Sequence, residues 1–595
     1  MKQLSLLLTI LMLLSAILMT ACNKEQMPQE TAPQETAPAQ TTAPIEDVPP
    51  VVHASISVAQ LTNYELIYAG GTSKEVIDLV KNLSTLIYDN FGVKLDYRTD
   101  KFYEGVDAYA KGQYEILIGN TNREESQTFL SFLRWDDYGF GIVGDKLVIA
   151  GKNEDGTLAA LRAFVACIEN TQKGEIFFSN VDQFLVQSVY PQPNLTINGI
   201  SASRLVILCN QEELGGVAQI ICDAIVDVCG IAPPIVTDKD VESLENVFLI
   251  GDTAHIDVET APDEIAYPTG KEYYVDSCMS QGIRLQAKNA AGYLSAANRI
   301  ATQIATTNTE SITLSHGQYI GEDAIGVMSF NLMAMGRFDA QRADNVIQII
   351  RKYRPAVVGV QEADDKWISI LSQKLGDLYT IVGEGRDADG SGEHSAILYL
   401  TDEFNCLESG TKWLSNTPDT PGSKLADSHY TRIMTYVHLV RKSDGKEFLH
   451  VNTHLDYGTT DAEEAVKVAQ MQVIFDEIRN FSPDFIIITG DFNATVDSPV
   501  YQMITDNGYK ITDDDYKDTC GGDALQAPTY HALMGTTGTP SHIDFIFYKS
   551  KYHSKYDTYF LSNIYDRICN ERVDNENVSD HYPIFAILAI KPNQK

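Results

Sequence analysis

Polar side chains that could activate water or bind a metal follow a strongly apolar stretch near residue 490. Residues 485–493 read FIIITGDFN, so an isoleucine-rich run leads directly into Gly490 and Asp491. A continuous β-branched run that ends at a glycine predicts a buried strand. If the backbone stays extended, Asp491 and Asn493 lie on one side of it, because side chains alternate along a strand. Such a pair suits a general base or metal ligand beside an amide, although Asp and Asn are equally common in turns and helix caps.

The same pattern recurs at other predicted strands in residues 325–592. Polar residues lie at the ends of these strands and are almost absent inside them, as expected for a site on one rim of a packed sheet. Each residue alone has a structural explanation, since a histidine can be satisfied in a core and an acid can cap a helix. Their recurrence at successive strand ends favours a common function. The combinations are 326–330 with Asn331, 356–360 with Glu362, 449–451 with His454, 543–548 with Asp544, and 584–590 with the preceding Asp580 and His581.

The motifs at these strand ends resemble those of the endonuclease/exonuclease/phosphatase superfamily. SFN, GVQE, NTHLD, GDFN, HID and SDH occur in that order along the C-terminal region. The segments that begin at Lys412 (KWLSNTPDTPGS) and Thr431 (TRIMTY) are also similar to secreted bacterial members. The resemblance implies a DNase I-like four-layer α/β sandwich in residues 323–595 and the hydrolysis of phosphoric esters.

The resemblance also implies a divalent-cation site. Glu362 and Asp580 would be the metal ligands, helped by Asn331. Oxygen ligands suit Mg²⁺ or Mn²⁺, and such a cation neutralises the negative oxygens around phosphorus and orients the ester. Asp491 would orient and deprotonate the attacking water, and Asn493 would hold a phosphate oxygen or that water.

Further roles follow from the same resemblance. His581 would bind the scissile phosphate with Asp544 as its orienting carboxylate, because a buried Asp–His pair favours the imidazolium. His454 would be the acid for the leaving oxygen or a second phosphate contact, and Glu393 matches the glutamate that pairs with it. Arg432 would clamp a phosphate oxygen, as its planar fork of donors allows, or would form a salt bridge to an acid at the rim.

The charge balance narrows the substrate. The 595 residues include 45 Lys and Arg against 81 Asp and Glu, a net charge of −36. Residues 325–592 alone contain 24 basic and 39 acidic residues, a net charge of −15. The loops 385–393 and 513–523 are rich in Gly and Asp and flank the predicted site. A long nucleic acid is therefore disfavoured as a partner, and a small phosphate ester, a lipid head group or a cell-wall phosphodiester fits better.

The N-terminus predicts export and anchoring. Residues 1–22 combine Lys2, an apolar run and small residues before Cys22, which resembles the lipobox of bacterial lipoproteins. The implied product is lipidated at Cys22 and lies on the extracellular face of the bacterial cell membrane. An ordinary signal peptide or a transmembrane helix are the alternatives. Residues 23–54 are rich in Gln, Glu, Thr, Ala and Pro and predict a disordered tether.

Residues 55–190 and 191–322 are predicted to be two copies of one small α/β domain. Each contains a strand, a helix, the similar stretches EILIGNT or VFLIGDT, a pair of hairpin strands and a closing helix. A single offset of about 130 residues indicates a tandem pair rather than a solenoid. The pattern resembles the accessory domain that precedes the catalytic barrel of α-glucuronidases and β-hexosaminidases. A spacer is favoured over a module that contacts glycan or cell wall.

The sequence thus predicts a secreted, lipid-anchored, metal-dependent phosphodiesterase or phosphatase. One alternative is an extracellular nuclease. The other is a glycan-binding lipoprotein with an inactive C-terminal domain. Every matched motif position is filled, which argues against an inactive domain. The nine cysteines include no C-x-x-C pair, so neither a zinc site nor a disulfide scaffold is predicted.

Overall fold

The computed structural model describes most of the chain from residue 55 onward. The predicted signal peptide, Cys22 and the tether lie outside the described residues, as does the loop 513–523. None of the helices within the described residues is long and apolar enough to cross a membrane. The described ranges are 55–100, 111–170, 174–179, 183–253, 265–276, 282–321, 323–333, 340–512, 527–531, 539–550, 559–570, 572–573 and 577–592.

The first α/β region contains a six-stranded sheet of order β3-β2-β4-β6-β5-β8 and a separate pair β1-β7. Its elements are β1 (Ser55–Ser57), α1 (Val58–Leu61), β2 (Glu65–Tyr68), α2 (Lys74–Phe91), β3 (Tyr97–Thr99), β4 (Glu115–Ile118), α3 (Glu124–Ser131), β5 (Tyr138–Val143), β6 (Lys146–Gly151), α4 (Glu154–Asn170), β7 (Ile176–Ser179) and β8 (Phe184–Val186).

The second region contains a six-stranded sheet of order β12-β11-β13-β15-β14-β17 and a three-stranded sheet β10-β9-β16. Its elements are β9 (Thr196–Ile197), β10 (Ile200–Ser201), β11 (Val206–Cys209), a 3₁₀ turn (Glu212–Leu214), α5 (Gly215–Cys229), β12 (Ile235–Val236), β13 (Val247–Ile250), β14 (Tyr273–Asp276), β15 (Ile283–Ala287), α6 (Ala290–Thr306), β16 (Ser311–Ile312) and β17 (Gly317–Tyr319).

The two six-stranded sheets have the same topology. In each, the first four strands run parallel to their neighbours, and the last two pair antiparallel. The stretches EILIGNT and VFLIGDT supply the buried strands β4 and β13, which occupy the third place in their sheets. This equivalence is an internal repeat at the level of structure. The domain limits and the accessory role stay predictions.

Local chemistry sets the helix ends, as α2 illustrates. The Ser73 hydroxyl accepts a hydrogen bond from the backbone N–H of Val76, which caps the first turn. Gly92 ends the helix with a φ of 72°, a left-handed conformation that glycine adopts without strain. Apolar residues at helical spacing between these caps are buried against the sheet, namely Val76, Val80, Leu83 and Ile87.

The C-terminal region contains two six-stranded sheets, of order β20-β21-β19-β18-β29-β28 and β22-β23-β24-β25-β27-β26. Its elements are β18 (Ala324–Asn331), α7 (Ala340–Tyr353), β19 (Val357–Gln361), α8 (Asp365–Leu375), β20 (Tyr379–Val382), β21 (Ile397–Leu400), β22 (Phe404–Trp413), β23 (Ile433–Arg441), β24 (Glu447–His454), α9 (Asp461–Ile478), β25 (Phe485–Asp491), α10 (Pro499–Asp506), β26 (Lys510–Ile511), β27 (Asp544–Ser550), β28 (Tyr559–Ile568) and β29 (Ile584–Pro592).

These two sheets pack face to face with helices on the outside. One core joins α7, α8 and the first sheet to the inner face of the second sheet, and Phe448, Ile487 and Tyr548 of the second sheet belong to it. A second core joins the outer face of the second sheet to α9 and α10. The four-layer α/β sandwich predicted from the sequence is therefore confirmed.

A buried polar network ties the two sheets together, although polar residues were expected to be almost absent inside strands. The predicted strand 449–451 continues through His454, so Asn452 lies within β24. The Asn452 amide donates to the carbonyl oxygens of Val360 at 2.8 Å and Ala396 at 2.9 Å. The Thr489 hydroxyl donates to the Asn452 side-chain oxygen at 3.0 Å. That expectation was wrong, because a satisfied amide can cross-link two sheets where apolar residues cannot.

Gly359 of β19 makes this close approach possible. A Cβ atom at residue 359 would lie 2.0 Å from the Thr489 hydroxyl oxygen and 2.5 Å from the Asn452 side-chain oxygen. Both distances are far below van der Waals contact, so the residue types at these three positions depend on one another.

Substituting Gly359 with alanine should loosen the sandwich. We expect Gly359→Ala to lower the free energy of unfolding by about 3 kcal/mol or more, because overpacking forces the buried amide apart from its partners. A Cβ at Gly216 in α5 meets no atom within 4 Å, which makes Gly216→Ala the matched control. That control should be neutral or stabilising by under about 1 kcal/mol. Urea denaturation monitors both, and similar midpoints for the two variants would contradict the packing argument.

A partly buried ion cluster joins the second α/β region to the C-terminal region. Glu403 accepts hydrogen bonds from Arg299 of α6 at 2.8 Å and from Arg354 at 3.1 Å. Arg354 also stacks over the ring of Tyr319 in β17, with its Cζ 4.0 Å from the ring centroid. Burial alone would raise the pKa of Glu403, but the two guanidinium groups outweigh it and lower that pKa to about 2.

Removing the Glu403 charge should destabilise this junction in a pH-dependent way. The lowered pKa means that the carboxylate stabilises the fold fully above pH 4.5 and loses that effect as the pH falls towards about 2. Glu403→Gln should therefore cost about 2 kcal/mol near neutral pH, and less as the pH falls through this window. Glu75→Gln, in an exposed pair with Arg162, should cost under about 0.5 kcal/mol. Thermal denaturation against pH measures both, and equal losses would count against the junction.

Candidate active site

Three predicted site residues form one row across neighbouring strands. Parallel pairing of β24 with β25 sets His454 opposite Asp491, and antiparallel pairing of β25 with β27 sets Asp491 opposite Asp544. All three side chains are buried. The row exists because each strand ends or begins at the same edge of the sheet, which converts three separate motifs into one cluster.

The other sheet contributes Asn331 and Glu362 to the same edge. Asn331 ends β18, and Glu362 directly follows Gln361, the residue paired with Asn331 in β19. The Asn331 side-chain amide donates to Glu362 Oε1 at 3.1 Å and to Asp491 Oδ2 at 3.0 Å. Glu362 has a φ of 55°, a left-handed conformation that costs a glutamate of order 1–3 kcal/mol and is concentrated at functional sites.

His581 enters from the loop that precedes β29. Its Nδ1 lies 2.7 Å from Asp544 Oδ2, and its Nε2 lies 3.7 Å from Asp491 Oδ2. The Ser579 hydroxyl fixes this loop by donating to the Asn331 carbonyl oxygen at 2.7 Å. Burial would lower the pKa of His581, but the contacting Asp544 carboxylate outweighs burial and raises that pKa to about 10. The ring is therefore an imidazolium at neutral pH, as the predicted Asp–His pair requires.

Asp491 lies between these groups. Burial raises the pKa of Asp491 to about 7, with a further contribution from the Asp544 charge. A carboxylate with this pKa is a competent proton acceptor near neutral pH. Its Oδ1 accepts the backbone N–H of Asn493 at 2.9 Å, which fixes its orientation. Asn493 itself has a φ of 48° and donates its side-chain amide to His454 Nε2 at 3.0 Å.

His454 is neutral in this arrangement. Burial, and then the positive charges of Arg432 and His581, hold the pKa of His454 well below its usual value. Since Nε2 accepts from Asn493, the proton of the neutral ring lies on Nδ1. Of the two predicted roles for His454, a hydrogen-bonding contact suits a neutral ring better than proton donation to a leaving oxygen.

Glu393 and Arg432 line the pocket next to His454, together with Glu362 and Arg386. Glu393 binds Arg386 through a 2.6 Å ion pair rather than forming a hydrogen bond to His454. Burial raises the pKa of Glu393, with the nearby Glu362 charge adding to the effect. Sequence reasoning missed Arg386, whose signal was its position as the single basic residue in the acidic loop 385–393.

Arg432 is a buried cation with little compensation from the protein. Its Nε has no hydrogen-bond partner, and its nearest carboxylate oxygens belong to Asp456 at 3.8 Å and Glu393 at 4.0 Å. Burial and the neighbouring Arg386 charge lower its pKa from the ordinary value. A desolvated guanidinium with open donors is the arrangement expected where an anion binds.

The residues able to hold a cation differ partly from the predicted set. Asp491, Asp544 and His581 form a group of three within the described part of the chain. One possible ligand atom of each lies within 4.8 Å of those of the other two. A protonated His581 cannot be a ligand, which leaves oxygen atoms as the donors. Glu362 and Asp491 both accept hydrogen bonds from the Asn331 amide, and the Glu362 charge adds to the raised pKa of Asp491. This oxygen-rich, negatively charged corner fits a divalent cation.

Asp580 is buried beside the cluster, where its charge also raises the pKa of His581. The structure thus brings ten predicted residues to one edge of the sandwich, and their individual roles stay predictions. They are Asn331, Glu362, Glu393, Arg432, His454, Asp491, Asn493, Asp544, Asp580 and His581. Cys22 lies outside the described residues.

One family of known proteins matches the C-terminal region of the chain. Residues 328–581 match the model of the Endonuclease/Exonuclease/phosphatase family. Members of this family are hydrolases, including phosphatases and phosphodiesterases, and they generally use divalent metals. No protein with a curated function matches the chain.

Several solved structures resemble the C-terminal region. An endonuclease/exonuclease/phosphatase from Bacteroides vulgatus is 26% identical over 45% of this chain and 99% of its own, with a TM-score of 0.39. A mannosyl-6-phosphatase from Bacteroides thetaiotaomicron is 28% identical over 44% and 99%, with a TM-score of 0.35. The human Nocturnin catalytic domain is 17% identical over 45% and 95%, with a TM-score of 0.35. These TM-scores are low, so the link between the C-terminal region and this family depends on the family match.

That match covers every motif from the end of β18 to the SDH sequence, and the predicted DNase I-like fold class is confirmed. The C-terminal region, through residues 328–581, therefore matches the endonuclease/exonuclease/phosphatase family.

Proposed function

We propose that this protein is a metal-dependent hydrolase of small, lipid or cell-wall phosphate esters, anchored by lipid at Cys22 on the extracellular face of the bacterial membrane. The observation that carries the catalytic part is the contact between Asp491 and His581. A base with a pKa of about 7 lies 3.7 Å from a ring nitrogen of an imidazolium. Water activation and stabilisation of phosphoryl charge are thereby available side by side.

The reaction follows from these positions. Asp491 accepts a proton from water as the water oxygen forms a bond to phosphorus. The ester P–O bond breaks on the opposite side, and the leaving oxygen takes up a proton from solvent, to which Asp491 then releases the proton that it accepted. His581 and Arg432 donate hydrogen bonds to the phosphoryl oxygens, whose negative charge shifts during the step. Asn331 and Asn493 hold Asp491 in place through the hydrogen bonds described above.

A divalent cation fits the oxygen-rich corner of the site. Glu362 and Asp580 would hold Mg²⁺ or Mn²⁺, with Asn331 beside them, because hard cations of this size prefer oxygen ligands. The bound cation would neutralise the phosphoryl oxygens. Asp544 keeps His581 protonated, so the positive charge on His581 would not depend on the bound metal.

Activity should depend on His581 and on a divalent cation. We expect the purified chain to hydrolyse at least one of a generic phosphodiester, a phosphomonoester and a phospholipid with Mg²⁺, and to lose that activity with chelator. His581→Ala and Asp491→Asn should each lower kcat by roughly a thousandfold, as the loss of a charge-stabilising donor or a base does. His438→Ala, a pair to Glu447 remote from the site, is the matched control.

Two results would count against this function. Full activity of Asp491→Asn would remove Asp491 from its role as base. Preferential cleavage of plasmid DNA, with a steep loss of activity as salt rises, would favour a nuclease instead.

The protonation state of His581 should depend on Asp544. In the chelated protein, ¹⁵N NMR of labelled histidines should find His581 protonated until the pH approaches about 10. Asp544→Asn removes the largest of the charges that raise this pKa, so the pKa should then fall, because burial is opposed only by the Asp491 and Asp580 charges. His581→Ala assigns the signal. An unchanged titration in Asp544→Asn would show that another group holds the proton.

A further inference from the structure

Three exposed rings lie together at the edge of the active site. We call His429, Tyr430 and Tyr457 the ring shelf. The centroid of Tyr457 lies 4.6 Å from that of His429 and 5.7 Å from that of Tyr430. Tyr430 and Tyr457 are 46% and 45% exposed. Scattered exposed aromatic residues need no explanation, but a contiguous group beside a catalytic site indicates contact with a ligand.

The ring shelf is held in place by buried hydrogen bonds. Asp456 Oδ2 accepts the Ser428 hydroxyl at 2.7 Å and the backbone N–H of His429 at 2.5 Å. The Asp456 backbone N–H donates to the side-chain oxygen of Gln470 at 2.9 Å. These bonds connect the loop that carries His429 and Tyr430 to the loop that carries Tyr457. A preorganised surface of this kind binds without the entropic cost of ordering its side chains.

Arg432 places the ring shelf next to the phosphate end of the site. Its Cζ lies 5.5 Å from the Tyr430 ring centroid, and its Nε lies 3.8 Å from Asp456. Tyr457 follows His454 by three residues. An ester whose phosphoryl group contacts Arg432 therefore has the three rings within reach of its alcohol part.

Arg386 and Arg432 lie by Tyr430, whereas the carboxylates on the His429 side of the ring shelf restrict the chemistry of that alcohol. His429 Nε2 lies 3.6 Å from Glu463 Oε1, and its Nδ1 lies 3.8 Å from Asp456 Oδ2. Helix α9 begins here with Asp461, Glu463 and Glu464 in its first turn. Carboxylates repel a second anionic group and accept hydrogen bonds from hydroxyls. The group that they favour is uncharged and carries hydroxyls, and the rings favour one with an apolar face.

Resting on the ester hydrolysis proposed above, we infer that the substrate is the phosphate ester of a sugar, whose ring packs on His429, Tyr430 and Tyr457. An acyclic alcohol such as glycerol has no ring face to pack there. A chain of further phosphates would approach the carboxylates of α9. Selectivity for the alcohol is thus separate from the phosphoryl chemistry at Asp491.

Binding and turnover by the full-length chain in detergent test this inference. Calorimetry of Asp491→Asn with Mg²⁺ would compare glucose 6-phosphate, glycerol 3-phosphate, adenosine 5′-monophosphate and inorganic phosphate. We expect the sugar phosphate to bind more tightly than glycerol phosphate by roughly three- to tenfold, the range expected for one aromatic contact. Adding Tyr457→Ala or Tyr430→Ala should remove most of that ratio, and Tyr457→Phe should restore it. Tyr88→Ala, an exposed tyrosine on α2, should leave the ratio unchanged.

The outcomes separate this inference from the proposed function. Equal binding of sugar and glycerol phosphates, or a ratio unaffected by both alanine variants, would overturn the inference. Tighter binding of the nucleotide than of the sugar phosphate would overturn the sugar assignment in favour of a base on the ring shelf. Ring-dependent sugar phosphate binding without hydrolysis of any mono- or diester by the unsubstituted chain would sustain the inference while the proposed function fails.

Discussion

The close packing of the two C-terminal sheets at Gly359 sets the distances of the active site. Where β19 lacks a side chain, the Asn452 amide of the facing sheet reaches the backbone of the first sheet. This contact holds the two sheets in one relative position, because a buried amide keeps its hydrogen bonds only at that separation. The edges of both sheets then coincide, so that Asn331 of one sheet lies 3.0 Å from Asp491 of the other.

The charges at that edge balance each other in two groups. Asp544 holds a proton on His581, and this imidazolium lies beside Asp491, whose own pKa is raised chiefly by burial. On the other side of His454, Arg386 neutralises Glu393 while Arg432 keeps an open donor. The resulting site contains a base, two cationic donors and an acidic corner within one buried layer. Burial strengthens all of these interactions, since little water is present to screen them.

Much of this region could be predicted from the sequence. Isoleucine-rich runs that end in polar residues identified the strands and the residues at their ends, because strand formation and burial are local properties of composition and period. The ordered motifs then implied the four-layer sandwich and the family, and the repeat of EILIGNT and VFLIGDT indicated the tandem regions. Boundaries were less accurate, as β24 shows, since Asn452 continues the strand only because partners in the facing sheet satisfy its amide.

Other properties were decided by the tertiary structure. The sequence contains His454 and His581 in similar polar motifs, yet one ring is neutral and the other is charged, because only His581 contacts a carboxylate that outweighs burial. Arg386 and the ring shelf gave no motif, because residues from separate loops form them. The sequence by itself thus determined which residues lie at the strand ends. Their protonation, pairing and neighbours depended on sheet packing, since electrostatic and hydrogen-bonding energies follow distance in space and burial rather than position in the chain.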